Sequence, residues 1–327
     1  MSGDPVVLVV TKPDDITADL VVGELNERDV PVARLDPGDF PGALTLAACP
    51  DANGLGGTVR TSSREVVLGE VRSVYWRRPN ACAAPAGLSE QDAHWCVEQG
   101  RYGLGGVLAA LPDAFYVNHP WRNRDAEHKP AQLAAAARSG LRVLPTLITN
   151  DPGKARRFAS EYGPVVYKPV WNSDYAGADG RGLTVWVEEV TPEAMSDGGI
   201  ALTAHMFQRR LNKAADVRLT AVGEELLAVR IDGAPGLDWR QYYESLSYAV
   251  IDPPADVVKG VRAYLDAFGL TFGAFDFGLD SDGRWWFYEC NPNGQWAWFP
   301  DPITRRIVHT LADRLQHGSE SGKCHDH

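Results

Sequence analysis

The 327-residue sequence has no run of about 18 consecutive apolar residues, the least a membrane-spanning helix needs. It also lacks any excess of positive charge. A formal net charge of −11 argues against nucleic acid or an anionic membrane surface as the main partner, because both repel an acidic face. Cysteine is sparse, and the five present (Cys49, Cys82, Cys96, Cys290 and Cys324) are dispersed and odd in number. Such a set suits reduced thiols better than a disulfide framework. The opening Met1-Ser2-Gly3-Asp4-Pro5 runs straight into a strand without the form of a signal peptide. A soluble cytoplasmic protein is expected.

Two nucleotide signatures are missing as well. Gly153-Lys154 lacks both the earlier glycine and the hydroxyl residue of a GxxxxGK[ST] loop. Gly103-Leu104-Gly105-Gly106 fails the dinucleotide fingerprint, because position 108 is leucine and no strand precedes it. Internal repeats are absent too.

What is present is an α/β chain long enough for two or three lobes around a cleft. The apolar run Val6–Val10 predicts a buried parallel strand, followed by a helix over Asp15–Arg28 with Ile16, Leu20 and Leu25 on one side, and a strand over Val30–Leu35. Leu44–Ala48 and Thr58–Arg60 flank a glycine-rich hairpin turn at Asn53–Gly57, and Val66–Leu68 and Val71–Trp76 are further strands. Ser89–Leu111 reads as mainly helix. Alanine-rich Lys129–Ser139 reads as a helix stopped by Gly140, and Leu141–Thr149 as a strand. A small α+β lobe follows: the helix Pro152–Tyr162, the strand Val165–Pro169, the loop Asp174–Gly182 and the strand Leu183–Glu188. Beyond His205 the pattern turns to strands (Met206–Arg209, Asp216–Ala221, Leu226–Ile231), then the helix Val257–Phe268, the hairpin Ala274–Leu279 with Arg284–Glu289, and a last helix over Thr304–Leu315. The expected divisions are 1–118, 119–204 and 205–316, with a disordered tail at 317–327.

The chemistry is densest at Phe275-Asp276-Phe277 and Glu289-Cys290-Asn291-Pro292-Asn293-Gly294. Residues two apart on a strand share a face, so Glu289 and Asn291 project together, and Asp276 on the neighbouring strand can join them. Two carboxylates and an amide oxygen form a hard donor set suited to Mg²⁺ shared with phosphates. The plainer alternative is a capped hairpin with carboxylates in water, but charges among so many aromatics would be costly. Lys168 ends an apolar strand beside glycines 177, 180 and 182, where it could meet a phosphate; most such lysines merely edge a strand. Met206–Leu211 could offer backbone and amide hydrogen bonds to a purine, with Arg218 and Arg230 turned into the same cleft. The alternative for the arginines is a sheet surface of salt bridges. Trp285, Trp286, Trp296 and Trp298 are read as core packing and peptide-groove lining rather than a base-stacking platform, and Lys323–His327 as incidental.

In this order the signals resemble the ATP-grasp superfamily, from Val6 to Leu315. Val74-Tyr75-Trp76-Arg77-Arg78-Pro79, Asn118-His119-Pro120, Leu237-Asp238-Trp239-Arg240 and Asn291-Pro292-Asn293-Gly294-Gln295-Trp296-Ala297-Trp298 narrow the resemblance to the microviridin-type (graspetide) peptide maturases. That resemblance implies an N-terminal Rossmann-like pre-ATP-grasp domain, a small central α+β lobe and a C-terminal antiparallel-sheet lobe, with ATP between the last two. By the same resemblance, Lys129 and Lys168 bind ATP phosphates, Gln208 and the backbone of Arg209, Arg210 and Leu211 hold adenine, and Asp216 holds ribose. Arg218 and Arg230 stabilise the transferring phosphoryl group, and Asp276, Glu289 and Asn291 bind Mg²⁺. Arg77, Arg78, Asp238 and Arg240 are the substrate candidates. Gln208 departs from the family, where glutamate is common.

The implied activity is ATP-dependent formation of ester or amide cross-links from Asp or Glu side chains of a ribosomal precursor peptide, with a homodimer compatible. Such chemistry needs a leaving group on a carboxylate and cations around the phosphoryl group. Two other readings share the ATP residues: a ligase for a small amino acid or a protein C-terminus, and a non-catalytic ATP-binding regulatory module.

Overall fold

The computed structural model describes residues 5–52, 54–171, 175–176, 182–196 and 198–318. Glycines 177 and 180 of the expected loop, Asn53 and the tail from Ser319 lie outside the described residues.

β1 (Val6–Val10) is buried at every position, as a strand covered on both faces must be. α1 (Ile16–Glu27) is capped by the Asp15 carboxylate, which accepts from the Ala18 N–H. Its buried face is Thr17, Ala18, Val21 and Leu25, whereas Ile16 and Leu20 are exposed. The expected apolar side is therefore corrected: the helix turns the smaller stripe inward because another helix closes over it. β2 (Val32–Leu35) lies parallel to β1. β3 (Thr45–Asp51), β4 (Gly54–Arg60) and β5 (Glu65–Val67) make a separate antiparallel sheet. Pairing runs on through Gly54–Gly57, where a hairpin turn was expected. Gly57 permits this: at φ +122° a Cβ would lie 2.0 Å from the Ala47 carbonyl oxygen. β6 (Val71–Trp76), α2 (Glu90–Ala109) and β7 (Phe115–Val117) complete a parallel sheet of order β2-β1-β6-β7.

α3 (Pro120–Ala126) was not foreseen; α4 (Lys129–Arg138) and β8 (Arg142–Val143) follow it. Ala126, Ala135, Ala136 and Leu141 pack in one core with Phe275 and Phe287, so this segment joins the C-terminal lobe and not the central one. The expected strand Leu141–Thr149 divides at Leu144-Pro145, since proline has no N–H for a ladder. Beyond it come β9 (Thr146–Thr149), α5 (Pro152–Tyr162), β10 (Val165–Lys168), β11 (Tyr175–Ala176), β12 (Gly182–Leu183), β13 (Glu188–Val190) and β14 (His205–Arg209). The expected strand Leu183–Glu188 is thus two short pieces. An antiparallel sheet of order β13-β10-β14-β9 forms the central lobe. It includes β14, so the chain leaves this lobe after Arg209 rather than before His205.

β15 (Lys213–Val222), β16 (Glu225–Asp232), the unforeseen β17 (Ser247–Ile251), α6 (Ala255–Phe268), β18 (Phe272–Asp280) and β19 (Trp285–Asn291) build the third lobe. Its six-stranded sheet has the order β17-β16-β15-β18-β19-β8. One face packs Val217, Phe275, Phe277 and Phe287 against α4 and α6. α7 (Asp301–His317) reaches past the expected tail boundary and returns to the first lobe, where Ile307, Leu311 and Leu315 share a core with Val7 and Leu25. Each such buried side chain contributes roughly 2 kcal/mol, which ties the first and third lobes together. Among the described residues no helix is long and apolar enough to cross a membrane.

Candidate active site

Asp276 on β18 stands opposite Arg218 on β15 and opposite Glu289 on β19, so the three side chains share the sheet face away from α6. Arg218 Nε is 2.8 Å from Asp276 Oδ1, and both side chains are almost fully buried. Arg240 bridges the two acids, with Nη2 donating to Glu289 Oε1 at 2.9 Å and Asp276 Oδ2 at 3.2 Å. Lys129 Nζ lies 3.3 Å from Glu289 Oε2 and donates to the Pro169 carbonyl at 2.8 Å. Asn291 Nδ2 is 3.4 Å from Glu289 Oε1, so both face the cleft as their spacing predicted.

The cations split the behaviour of the acids. Burial pushes the Glu289 carboxyl up, but Lys129, Arg240 and Lys168 outweigh it and hold that carboxyl well below the usual range. At Asp276 burial prevails over Arg218 and Arg240, and the carboxyl is raised.

The donor set fits Mg²⁺. Two carboxylates and an amide leave coordination positions for phosphate oxygens, and buried Asp276 Oδ1 has no hydrogen-bond partner despite its ion pair. Among the described residues no group of three or more Asp, Glu, His or Cys side chains is arranged to hold a metal ion.

The nucleotide candidates line one cleft between the central and third lobes, with Lys168, Gln208, Leu211 and Asp216 on its walls. Lys168 Nζ lies 4.2 Å from the centre of the Tyr288 ring. Burial brings its ammonium down to about 8; Glu289 opposes the fall, while Lys129 and Arg240 add to it. Tyr288 reaches the cleft because the β18–β19 register shifts between Asp276 and Phe277, where a bulge turns it onto the same side as Glu289. Gln208 is buried and donates to Thr146 Oγ1 at 2.9 Å, leaving its Oε1 as an unpartnered acceptor. An adenine amino group is a donor of the kind that oxygen lacks. Arg209 and Arg210 turn outward, Arg210 pairing with Glu189 at 2.5 Å, and their N–H groups already donate to the carbonyls of Pro145 and Pro164 at 2.9 and 2.8 Å. Asp216 holds Lys213 at 2.6 Å, and burial raises its carboxyl to about 6 against that partner's pull.

Three expected roles change. Arg230 faces Val217 across the ladder, placing it on the helix-covered side of the sheet, and forms a two-pronged pair with Asp232 at 2.8 Å. It is not in the cleft. Arg77 is 2% exposed, paired with Asp15 at 3.4 Å and donating to the carbonyls of Asn293 and Gly294 at 3.2 Å. It brackets the first lobe to the loop after Asn291 instead of awaiting a ligand. Asp238 is buried and accepts from the Arg240 N–H at 3.1 Å, capping the turn that aims Arg240. Trp285 and Trp296 are core residues. Trp298 packs tilted against Trp239, their ring centres 4.8 Å apart, and the Trp239 ring carries Arg218 at 5.5 Å and Arg240 at 5.7 Å. Arg78 remains exposed, donating to the Asn293 carbonyl at 3.2 Å.

Two supporting residues had no role assigned from the sequence, although Asn118 belongs to the Asn118-His119-Pro120 motif. Gln132 donates to the Cys290 carbonyl at 2.8 Å and accepts from its N–H at 3.0 Å, pinning the strand between Glu289 and Asn291. A lone amide in an alanine-rich helix was the available signal. Asn118 donates to the Phe272 and Pro292 carbonyls and accepts from the N–H groups of Thr271 and Phe272, clamping both ends of the hairpin.

Sheet order and cleft together give the chain the ATP-grasp fold. Residues 6–124 match the family model described as the MvdD pre-ATP grasp domain. Over 95% of its length the chain is similar to macrocyclase MdnC of Microcystis aeruginosa MRC, solved with precursor peptide MdnA; identity is 26%, 98% of that chain is covered, and the TM-score is 0.82. A Chryseobacterium gregarium RiPP-associated ATP-grasp ligase, solved with ADP and a leader and core peptide, shares the fold at 23% identity and TM-score 0.85, covering 95% of this chain and 96% of that one. Macrocyclase MdnB of Microcystis aeruginosa MRC does so at 24% and 0.79, covering 96% and 99%. No curated protein matches the chain. The protein thus resembles the peptide-macrocyclising ATP-grasp ligases along nearly its whole sequence.

Proposed function

We propose that the protein is an ATP- and Mg²⁺-dependent ligase that activates Asp or Glu side chains of a ribosomal precursor peptide and joins them to Thr, Ser or Lys side chains of the same chain. The observation that carries this reading is the gathering of Arg218, Arg240, Lys129 and Lys168 around Asp276 and Glu289, the two acids that line one cleft. Asp276, Glu289 and Asn291 would hold the metal, which supplies charge neutralisation between phosphates. Lys129 and Lys168 would bind phosphate oxygens, and Gln208 and Asp216 the base and ribose. Arg218, fixed by Asp276 and the Trp239 ring, offers a permanent positive charge to the transferring phosphoryl group. Arg240 presents a fork that matches a substrate carboxylate. The hydroxyl or amine then displaces phosphate from the acyl phosphate, and holding both groups in one chain raises their effective concentration.

The cytoplasm suits a reaction that draws on ATP and leaves the described cysteines free. A homodimer is compatible with this reading, and sedimentation velocity measures it. The test is mass spectrometry of candidate precursor peptides incubated with protein, ATP and Mg²⁺. The expected result is loss of one water per cross-link with matching ADP release. ADP release driven by free amino acids, with no peptide losing water, would transfer the assignment to a small-molecule ligase.

A further inference from the structure

β8 pairs with β19 only at Trp286 and Phe287 before the chain leaves that edge through Leu144-Pro145. The far end of β19, which carries Glu289 and Asn291, is therefore held by β18 on one side and, among the described residues, by no strand on the other. An open N–H and C=O on that side would be costly away from water, and Cys290, between the two cleft residues, is fully buried. Gln132 of α4 fills the gap. Its Nε2 donates to the Cys290 carbonyl at 2.8 Å and its Oε1 accepts from the Cys290 N–H at 3.0 Å, as a neighbouring strand would. The same Nε2 donates to the Ala126 carbonyl at 2.7 Å, so both amide hydrogens are engaged and this buried side chain keeps no donor for a ligand. Lys129 stands one turn earlier on the same face of α4 and lies 3.3 Å from Glu289 Oε2. One helix thus holds Glu289 by a charge and the backbone of the next residue by an amide.

We propose that Gln132 is a positioning residue for the Mg²⁺ site, acting through the Cys290 backbone to fix the spacing and direction of Glu289 and Asn291. It touches neither nucleotide nor peptide; it stands in for the strand that Pro145, lacking an N–H, cannot continue. The inference rests on the reading of Glu289 and Asn291 as metal ligands and adds what sets their geometry. A group that orients a ligand typically governs metal affinity by about 10–100-fold. Simple attachment of α4 to the sheet is the competing role, but Ala135, Ala136 and Leu141 already supply it by apolar packing. That role does not call for a buried amide aimed at the one residue between the ligands, which is costly to bury unless its bonds are made.

The test uses the whole chain, with Mn²⁺ binding in the presence of ADP read by electron paramagnetic resonance and metal-free ADP binding read by calorimetry. Gln132→Met keeps the length and loses the amide; Gln132→Asn withdraws the same amide by one methylene and gives the readout if Gln132→Met does not fold. Either variant should weaken Mn²⁺ binding by about 10–100-fold and leave metal-free ADP affinity unchanged. Thr304→Val is the control for lost stability alone. It breaks the buried bond from Thr304 Oγ1 to the Phe299 carbonyl at 2.8 Å, far along the chain from α4, and should lower the melting temperature without moving Mn²⁺ affinity. Unchanged Mn²⁺ affinity in the Gln132 variants, an equal loss in Thr304→Val, a parallel loss of metal-free ADP binding, or failure of both Gln132 variants to fold would each overturn the positioning role. Glu289→Gln in the same assay separates the two readings: if it binds Mn²⁺ like wild type, the metal site itself fails, whereas a loss there with Gln132→Met unaffected removes Gln132 alone.

Discussion

Arg218 and Asp276 face each other across adjacent antiparallel strands, joined at 2.8 Å with side chains only 5% and 6% exposed. A buried pair of this kind contributes little net stability when intact, yet removing one partner strands a charge. Arg218→Ala should therefore destabilise the fold by about 3 kcal/mol, and the double variant with Asp276→Ala should recover part of that loss. Urea denaturation of both single variants and the double variant measures the coupling. Additive effects would show that the two side chains do not sense one another.

Arg240 sits where it competes with a cation for Asp276 and Glu289. Without nucleotide, Arg240→Ala should tighten Mn²⁺ binding, read by electron paramagnetic resonance, while peptide modification is lost. Glu289→Gln and Asn291→Ala should weaken Mn²⁺ binding and abolish turnover while the protein still folds, Glu289→Gln melting lower because Lys129 and Arg240 lose their partner. Unaltered Mn²⁺ affinity in all three variants would remove the metal from this place.

Lys168 is placed to meet phosphate, whereas Lys154 belongs to the exposed start of α5. Lys168→Ala should weaken ADP binding by about 30-fold, the equivalent of a charged hydrogen bond of ~2 kcal/mol, and Lys154→Ala should leave it unchanged. Because burial brings the Lys168 ammonium down to about 8, the free protein loses that proton as pH rises through 8. Nucleotide affinity is then level below pH 8 and falls above it, the charged form being the one that binds. Calorimetric titration across this range checks the bend, which Lys168→Arg should abolish because its charge persists.

Arg77 and Arg230 have moved from the chemistry to the scaffold. Arg77→Ala should cost about 3 kcal/mol in a thermal or urea melt, since Asp15 is left buried without its partner. Arg230→Ala should cost less than about 1 kcal/mol, as for any exposed pair, and should leave turnover intact. A collapse of kcat in Arg230→Ala with ADP affinity retained would restore it to the phosphoryl site.

Much of this protein follows from its residues in order. The run Val6–Val10 can only be a strand buried on two faces, Lys129–Arg138 only a helix, and the two-residue period of Glu289 and Asn291 places both on one side of a strand wherever it lies. These are local consequences of side-chain size, branching and backbone geometry. Tertiary structure decided which face each arginine would find. Arg218 and Arg230 look alike in sequence, but ladder register sets one opposite Asp276 and the other opposite Val217. A one-residue bulge turned Tyr288 into the cleft, and the return of α7 chose which stripe of α1 would be buried. Arg77 became a bracket because a loop more than 200 residues later brings it the carbonyls of Asn293 and Gly294. Register, bulge and long-range closure depend on what packs against what, and no local propensity records that.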